Sequence, residues 1–239
     1  MNQKNRKYAF LAVGGLVMLA CGSSSASAQS LPGTGTFYVG AHATYADNSS
    51  VWDDVNAGYL GEHGANGLRF GAQAGYDLNL GPVFVGAAAT FRPNGVSGSH
   101  TDLKFSDKAT QYDRSDEKWS AQFAGRVGTD IRGYRFYGKA GLALSRKRYS
   151  LVGFTIENTD FTAKTITRAG WLVGAGVERD VAPRVSVFVD YAHADFGNPT
   201  TIFPCPETQM DCTPLGTKDI PIRLDDKANN VSVGFNVRF

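Results

Sequence analysis

Eight stretches of the chain alternate apolar and polar residues with a period of two. In residues 36–46, Phe37, Val39, Ala41, Ala43 and Tyr45 alternate with Tyr38, Gly40, His42 and Thr44. The same pattern runs through 67–78, 83–91, 119–130, 135–145, 169–179, 184–192 and 229–239. Successive side chains of an extended chain point to opposite faces, so each stretch reads as a β-strand with one apolar face. The last stretch continues to the terminal residue, with Val231, Val233, Phe235, Val237 and Phe239 on one face. Most domains leave their final residues loose at the surface. A strand that ends on an aromatic is expected where it must pair with the first strand to close a barrel, because hydrocarbon does not tolerate an unpaired edge.

Between the first and last apolar residue of each of the eight apolar faces, no Asp, Glu, Lys or Arg occurs. Arg69, Asp77, Arg126, Asp130, Arg135, Lys139, Glu178, Asp190 and Arg238 all lie on the opposite faces. Those polar faces are crowded with Gly and Ala, which suits a confined interior better than a solvated exterior. The apolar faces carry their aromatics at the ends. Tyr45, Phe91, Trp119, Trp171 and Tyr191 lie toward one end, and Phe37, Tyr76, Phe136 and Phe239 toward the other. Two aromatic girdles around an aliphatic band are what a bilayer selects.

The connections alternate in length. "NLGP", "IRGY" and "DVAP" read as tight turns. The other four intervals, about 47–66, 92–117, 146–167 and 196–228, read as long polar loops. The expected fold is therefore all-β. It is an eight-stranded antiparallel transmembrane β-barrel, with short periplasmic turns and long extracellular loops, in the outer membrane of a Gram-negative bacterium. Outer-membrane lipid is its expected surroundings.

Residues 1–28 are expected to be absent from that barrel. Lys4, Arg6 and Lys7 precede an apolar run over 8–20, and Ala26-Ser27-Ala28 supplies an A-x-A cleavage site. This is the layout of a secretory signal peptide, and the run is too short to span a bilayer as a helix. A mature chain starting at Gln29 gives a barrel domain of 29–239. A lipidated start at Cys21 is the alternative. After cleavage at Ala28, Cys205 and Cys212 remain, close in sequence and flanked by prolines, and a loop disulfide is expected in an oxidising compartment. A metal site on these two thiols is the weaker reading, since no His lies between them. The formal net charge of +2 offers nothing to nucleic acid.

The segment "GWLVGAGVERDVAPRVSVFVDYAHADFG", from Gly170 to Gly197, together with the terminal Phe, resembles the OmpA-like outer-membrane β-barrel family of surface antigens (porin-family or outer-membrane immunogenic proteins). One departure is Asp190 before Tyr191, where the family usually carries Glu. In such families the terminal aromatic strand is read by the β-barrel assembly machinery, and the resemblance implies that role for Val231, Val233, Phe235, Val237 and Phe239. Some relatives of the family bind haem at the cell surface.

Candidate chemistry is sparse. Arg126, Lys139, Glu178 and Asp190 face one interior. They read either as a structural charge network or as a gate across a narrow pore. His42 faces inward, His63 and His100 fall in the expected loops and His193 at the outer rim, a scatter that matches no metal-site spacing. Ser97, Ser99 and His100 lie together without a Gly-x-Ser-x-Gly turn or an arranged acid, so no enzyme activity and no cofactor are expected. Three functions remain. The first is a structural or surface-interaction barrel, with host or extracellular ligands met through the loops; a low-conductance porin is the second and a haem receptor the third.

Overall fold

The computed structural model of the protein describes residues 35–103, 111–153, 160–205 and 219–239. The expected signal peptide and Cys212 lie outside these residues. Among the described residues ten strands are formed: β1 (Gly35–Asp54), β2 (Gly58–Asn79), β3 (Val83–Arg92), β4 (Ser97–Thr101), β5 (Tyr112–Ile131), β6 (Tyr134–Val152), β7 (Asp160–Ala182), β8 (Val185–Asp195), β9 (Thr200–Pro204) and β10 (Asp219–Arg238). Eight of them close a ring in the order β1-β2-β3-β5-β6-β7-β8-β10, and β10 returns to β1. The closing ladder is antiparallel and runs from Tyr38↔Arg238 to Asp54↔Ile222. Beyond it, the Phe239 amide donates to the Phe37 carbonyl at 2.8 Å. β4 pairs with β5 and β9 with β10. They continue the walls begun by β3 and β8, after breaks at 93–96 and 196–199.

The turns at one end are tight. In the β5–β6 hairpin, Arg132 and Gly133 have φ of 52° and 80°, the left-handed pair that a two-residue hairpin turn requires. At the other end the strands run much further than their alternation suggested. A tilted strand crosses a bilayer in about 9–11 residues, whereas β1 and β10 have 20 each. Residues 47–66, expected as a loop, are strand except for 55–57. The reason is an inversion of polarity along continuous strands. On β10, Val231, Val233, Phe235 and Val237 face out, but Asp219, Arg223, Asp225 and Lys227 occupy the same face further along. The opposite face changes in the complementary sense, from Asn236, Ser232 and Asn230 to Leu224, Ile222 and Ile220. On β1, Tyr45 faces out while Trp52, on the inner face, is 0% exposed. Below the inversion the barrel is apolar outside, as lipid demands; above it the barrel is apolar inside, as water demands.

A single bulge hides this on β5. The register shifts between Glu117 and Trp119, and one extra residue exchanges the two faces. Asp113, Ser115 and Glu117 therefore point inward above the bulge, and Ser120, Gln122 and Arg126 below it. Interior glycines make room for large polar side chains. A Cβ at Gly75 would sit 2.3 Å from the Tyr38 hydroxyl, and one at Gly176 would sit 2.4 Å from the Tyr137 hydroxyl.

Candidate functional site

The lumen is filled in layers. Nearest the short turns, Arg126 is the hub. Its Nη2 donates to Asp77 Oδ2 at 2.7 Å and to Glu178 Oε2 at 3.3 Å, and Nη1 donates to the Tyr38 hydroxyl at 3.0 Å. Its guanidinium lies 4.9, 5.2 and 4.6 Å from the ring centroids of Tyr38, Phe84 and Tyr137. Arg135 adds contacts to Asp77 at 3.2 Å and Asp130 at 2.9 Å, and Arg238 reaches Glu178 at 2.8 Å.

Arg126 and Lys139 are directly opposite in the β5–β6 ladder. They take different acids: Lys139 pairs with Asp190, to which Tyr137 also donates at 3.2 Å. The four interior charges expected from sequence thus lie in one neighbourhood, split into two pairs. Asp77, Tyr38 and Tyr137 complete it. Their inward parity was readable, but their partners depend on the barrel's shear and could not be read from the sequence.

Higher in the lumen, Arg69 Nη1 lies 2.6 Å from Glu117 Oε2, and the same Glu117 accepts from Asn48 at 3.0 Å and Ser145 at 3.1 Å. Above the polarity inversion, Asp226 is held by Arg168, by the Tyr149 hydroxyl, and by Lys147 at 3.2 Å. Burial alone would raise its pKa, but the two cations dominate and hold it down to about 2.

The outer end is stoppered by apolar side chains. Trp52, Leu60, Tyr149, Phe203, Ile222 and Leu224 pack together, each 0–1% exposed. Against Trp52 stand two histidines, with ring centroids 6.3 Å (His63) and 6.0 Å (His100) away. They belong to strands β2 and β4 rather than to loops, and both point inward. Their rings stack at 5.1 Å, with Nδ1 facing Nδ1 at 2.8 Å. His63 Nε2 meets Ser115 Oγ at 2.6 Å, and His100 Nε2 lies 3.3 Å from Asp113 Oδ2. Sequence spacing could not show this Ser–His–His–Asp chain, because its members come from three strands. Burial lowers the His63 pKa to about 4, with His100 adding to the shift, and burial raises that of Asp113 to about 6. Among the described residues no group of three or more His, Cys, Asp or Glu is arranged to hold a metal ion.

His42 is buried in the lumen, and His193 shares Asn229 with Tyr191 near the outer girdle. Cys205 is disulfide-bonded. Beside it, among the described residues, β7 and β9 do not pair. Side chains bridge the gap instead: Lys164 Nζ donates to the Ile202 carbonyl at 3.0 Å, and Thr162 Oγ1 to the Pro204 carbonyl at 2.8 Å. A cleft of about 440 Å³ opens there, lined in part by Ile166, Arg168, Phe196, Pro199 and Ile202.

A closed antiparallel ring with an apolar outer band, aromatic at both ends, is the frame around these layers. The family described as outer membrane protein beta-barrel domain matches residues 14–239. The chain belongs to this family. The 22 kDa outer membrane protein of Rhizobium leguminosarum bv. viciae is similar to this barrel, 28% identical over 162 residues. That match covers 67% of this chain and 63% of the relative, so the chain spans somewhat less than two thirds of that protein's length. Among solved structures, the outer membrane protein OprG from Pseudomonas aeruginosa matches with a TM-score of 0.57 at 12% identity, covering 87% of this chain and 97% of OprG. The outer membrane protease OmpT from Escherichia coli matches with a TM-score of 0.51 at 10% identity, covering 88% and 99%. At such identities the likeness is one of fold. The family barrel resides in the outer membrane, as its apolar band requires.

Proposed function

We propose that this outer-membrane barrel is a closed scaffold that displays a contact surface beyond the lipid, and that it acts by surface interaction rather than by conduction. The observation that supports this reading is the Trp52 stopper at the outer end of the lumen. Beneath it the Asp226, Glu117 and Arg126 layers fill an interior that, with eight strands, is just wide enough for side chains. The strands continue past the inversion as paired walls, so the outer end is a rigid platform. The cleft between β7 and β9 is a concave feature of that platform, with Arg168 and Lys164 beside Phe196 and Ile202. The interior charges Arg126, Lys139, Glu178 and Asp190 serve as a structural network in this reading.

A low-conductance porin is the alternative, and one measurement separates the two. Refolded protein in planar bilayers should show no steady unitary conductance. Steady current through the unaltered protein, diminished by blocking the outer end, would establish the porin instead. The His63–His100 chain is not proposed as an active site, because Ser115 and Asp113 are buried behind the stopper. The haem reading is not adopted: the ring nitrogens of His63 and His100 face one another, Ser115 and Asp113, and His42 lies buried in the lumen.

A further inference from the structure

We propose that the lumen, at the level of the outer aromatic girdle, holds a small inorganic anion of chloride size on the guanidinium of Arg92. Arg92 ends β3 and is 2% exposed. Its Nε donates to Thr44 Oγ1 at 3.2 Å, while Nη1 has no hydrogen-bond partner among the described residues. The other buried arginines of the lumen, Arg69, Arg126, Arg135 and Arg168, each sit within ion-pair distance of a carboxylate. Arg92 forms no such pair among the described residues.

The charged groups that bear on Arg92 include Arg69, Lys139, Asp190 and Glu117. Both acids are already engaged, Glu117 by Arg69 and Asp190 by Lys139. His42, one layer away and also buried, has both ring nitrogens unpartnered, and the charges facing it are Arg92, Lys139 and Arg69, all cations. Buried water can satisfy orphan N–H groups, but it does not neutralise a guanidinium in a low-dielectric interior. An anion does both, accepting from Arg92 Nη1 and balancing the cations that surround His42. The narrow lumen restricts it to a small one.

The test uses bromide as the probe. Full-length mature protein is refolded in detergent and crystallised from sodium bromide, and anomalous density is sought within hydrogen-bond distance of Arg92 Nη1. In parallel, the heat-denaturation midpoint is followed by gel mobility in sodium bromide and in sodium gluconate of equal ionic strength, gluconate being too large for the lumen. The expected result is an anomalous peak at Arg92 and a midpoint that climbs with the logarithm of bromide concentration relative to gluconate. In Arg92→Gln both are lost. Absence of a peak at Arg92 in the unaltered protein overturns the proposal whether or not the variant folds. So does a full bromide dependence retained in a folded Arg92→Gln.

Discussion

Arg69 on β2 and Glu117 on β5 meet across the lumen at 2.6 Å, with side chains only 1% and 4% exposed. Their strands are second neighbours in the ring, so the pair spans the intervening β3 on the lumen side. Removing one partner leaves a buried charge unmatched, which typically costs 3–5 kcal/mol. Glu117→Ala should lose about that much in urea unfolding from lipid vesicles. The double variant Arg69→Met with Glu117→Leu should recover most of it. If the double variant is as unstable as the single, the penalty lies in lost packing and not in the stranded guanidinium.

The polarity inversion predicts opposite tolerances on one face of one strand. Val233 and Asp225 both point outward on β10, Val233 toward lipid and Asp225 beyond it. Val233→Arg should cost about 2–4 kcal/mol if the site lies near the bilayer middle. Asp225→Arg should stay within about 0.5 kcal/mol of the parent, as an exposed surface change does. Equal costs in the same vesicle unfolding assay would place no membrane boundary between the two positions.

The outer histidine cluster predicts a pH dependence that appears only when one partner is removed. His63 has a folded pKa of about 4, below its ordinary 6.5, so its contribution is lost as pH falls from 6.5 toward 4. Asp113 has a folded pKa of about 6, above its ordinary 3.8, so burying it becomes easier as pH falls from 6 toward 4. The two trends oppose one another and largely cancel. Asp113→Asn should therefore make the outer hairpins progressively easier to open between pH 6.5 and 4. His63→Gln should make them harder to open from pH 6 to 4. Hydrogen exchange of the outer parts of β1 and β2 reads both.

Phe239 is expected to matter more for assembly than for stability. Its ring lies 6.3 Å from that of Phe37, and its amide bonds to the Phe37 carbonyl. Its side chain is 69% exposed on the barrel surface, so its protein contacts are worth less than the about 1.5–3 kcal/mol of a fully buried Phe, and a Phe239 deletion should still refold in micelles. In cells its outer-membrane yield should fall much further, if the strand carrying Val231, Val233, Phe235 and Val237 is read during assembly. Normal cellular yield combined with poor refolding would reduce Phe239 to a packing role.

Cys205 is expected to pair with Cys212. Closing so short a loop should add no more than about 2–3 kcal/mol. The barrel should accordingly survive reduction or a Cys205→Ser change. Mass spectrometry of exported protein with and without reductant checks the bond, and two free thiols would refute it.

The membrane half of the fold was legible because the bilayer imposes one rule on every strand at once. Outward residues must be apolar and inward ones small or polar, so Phe37 to Tyr45 and Val231 to Phe239 declare their faces without reference to any partner. The outer half obeyed the opposite rule and was read as loop. Along β1, the alternation of Asn48, Ser50 and Trp52 against Asp47, Ser49 and Asp53 is genuine but weak. On β5 the bulge beside Lys118 exchanges the faces in mid-strand.

By itself, then, the sequence determined the eight crossings, their inside and outside, the closure of the last strand on the first, and the inward parity of Arg126, Lys139, Glu178 and Asp190. Parity is a local property of an extended backbone and needs no knowledge of neighbours. Tertiary structure alone decided which charges meet. Asp77 became the partner of Arg126, Glu117 of Arg69, and His63 of His100, while Arg92 was left without a carboxylate. Those outcomes depend on the shear with which the sheet closes, which sets the height of each inward residue against strands up to half a circumference away. No repeat or spacing along the chain encodes that height.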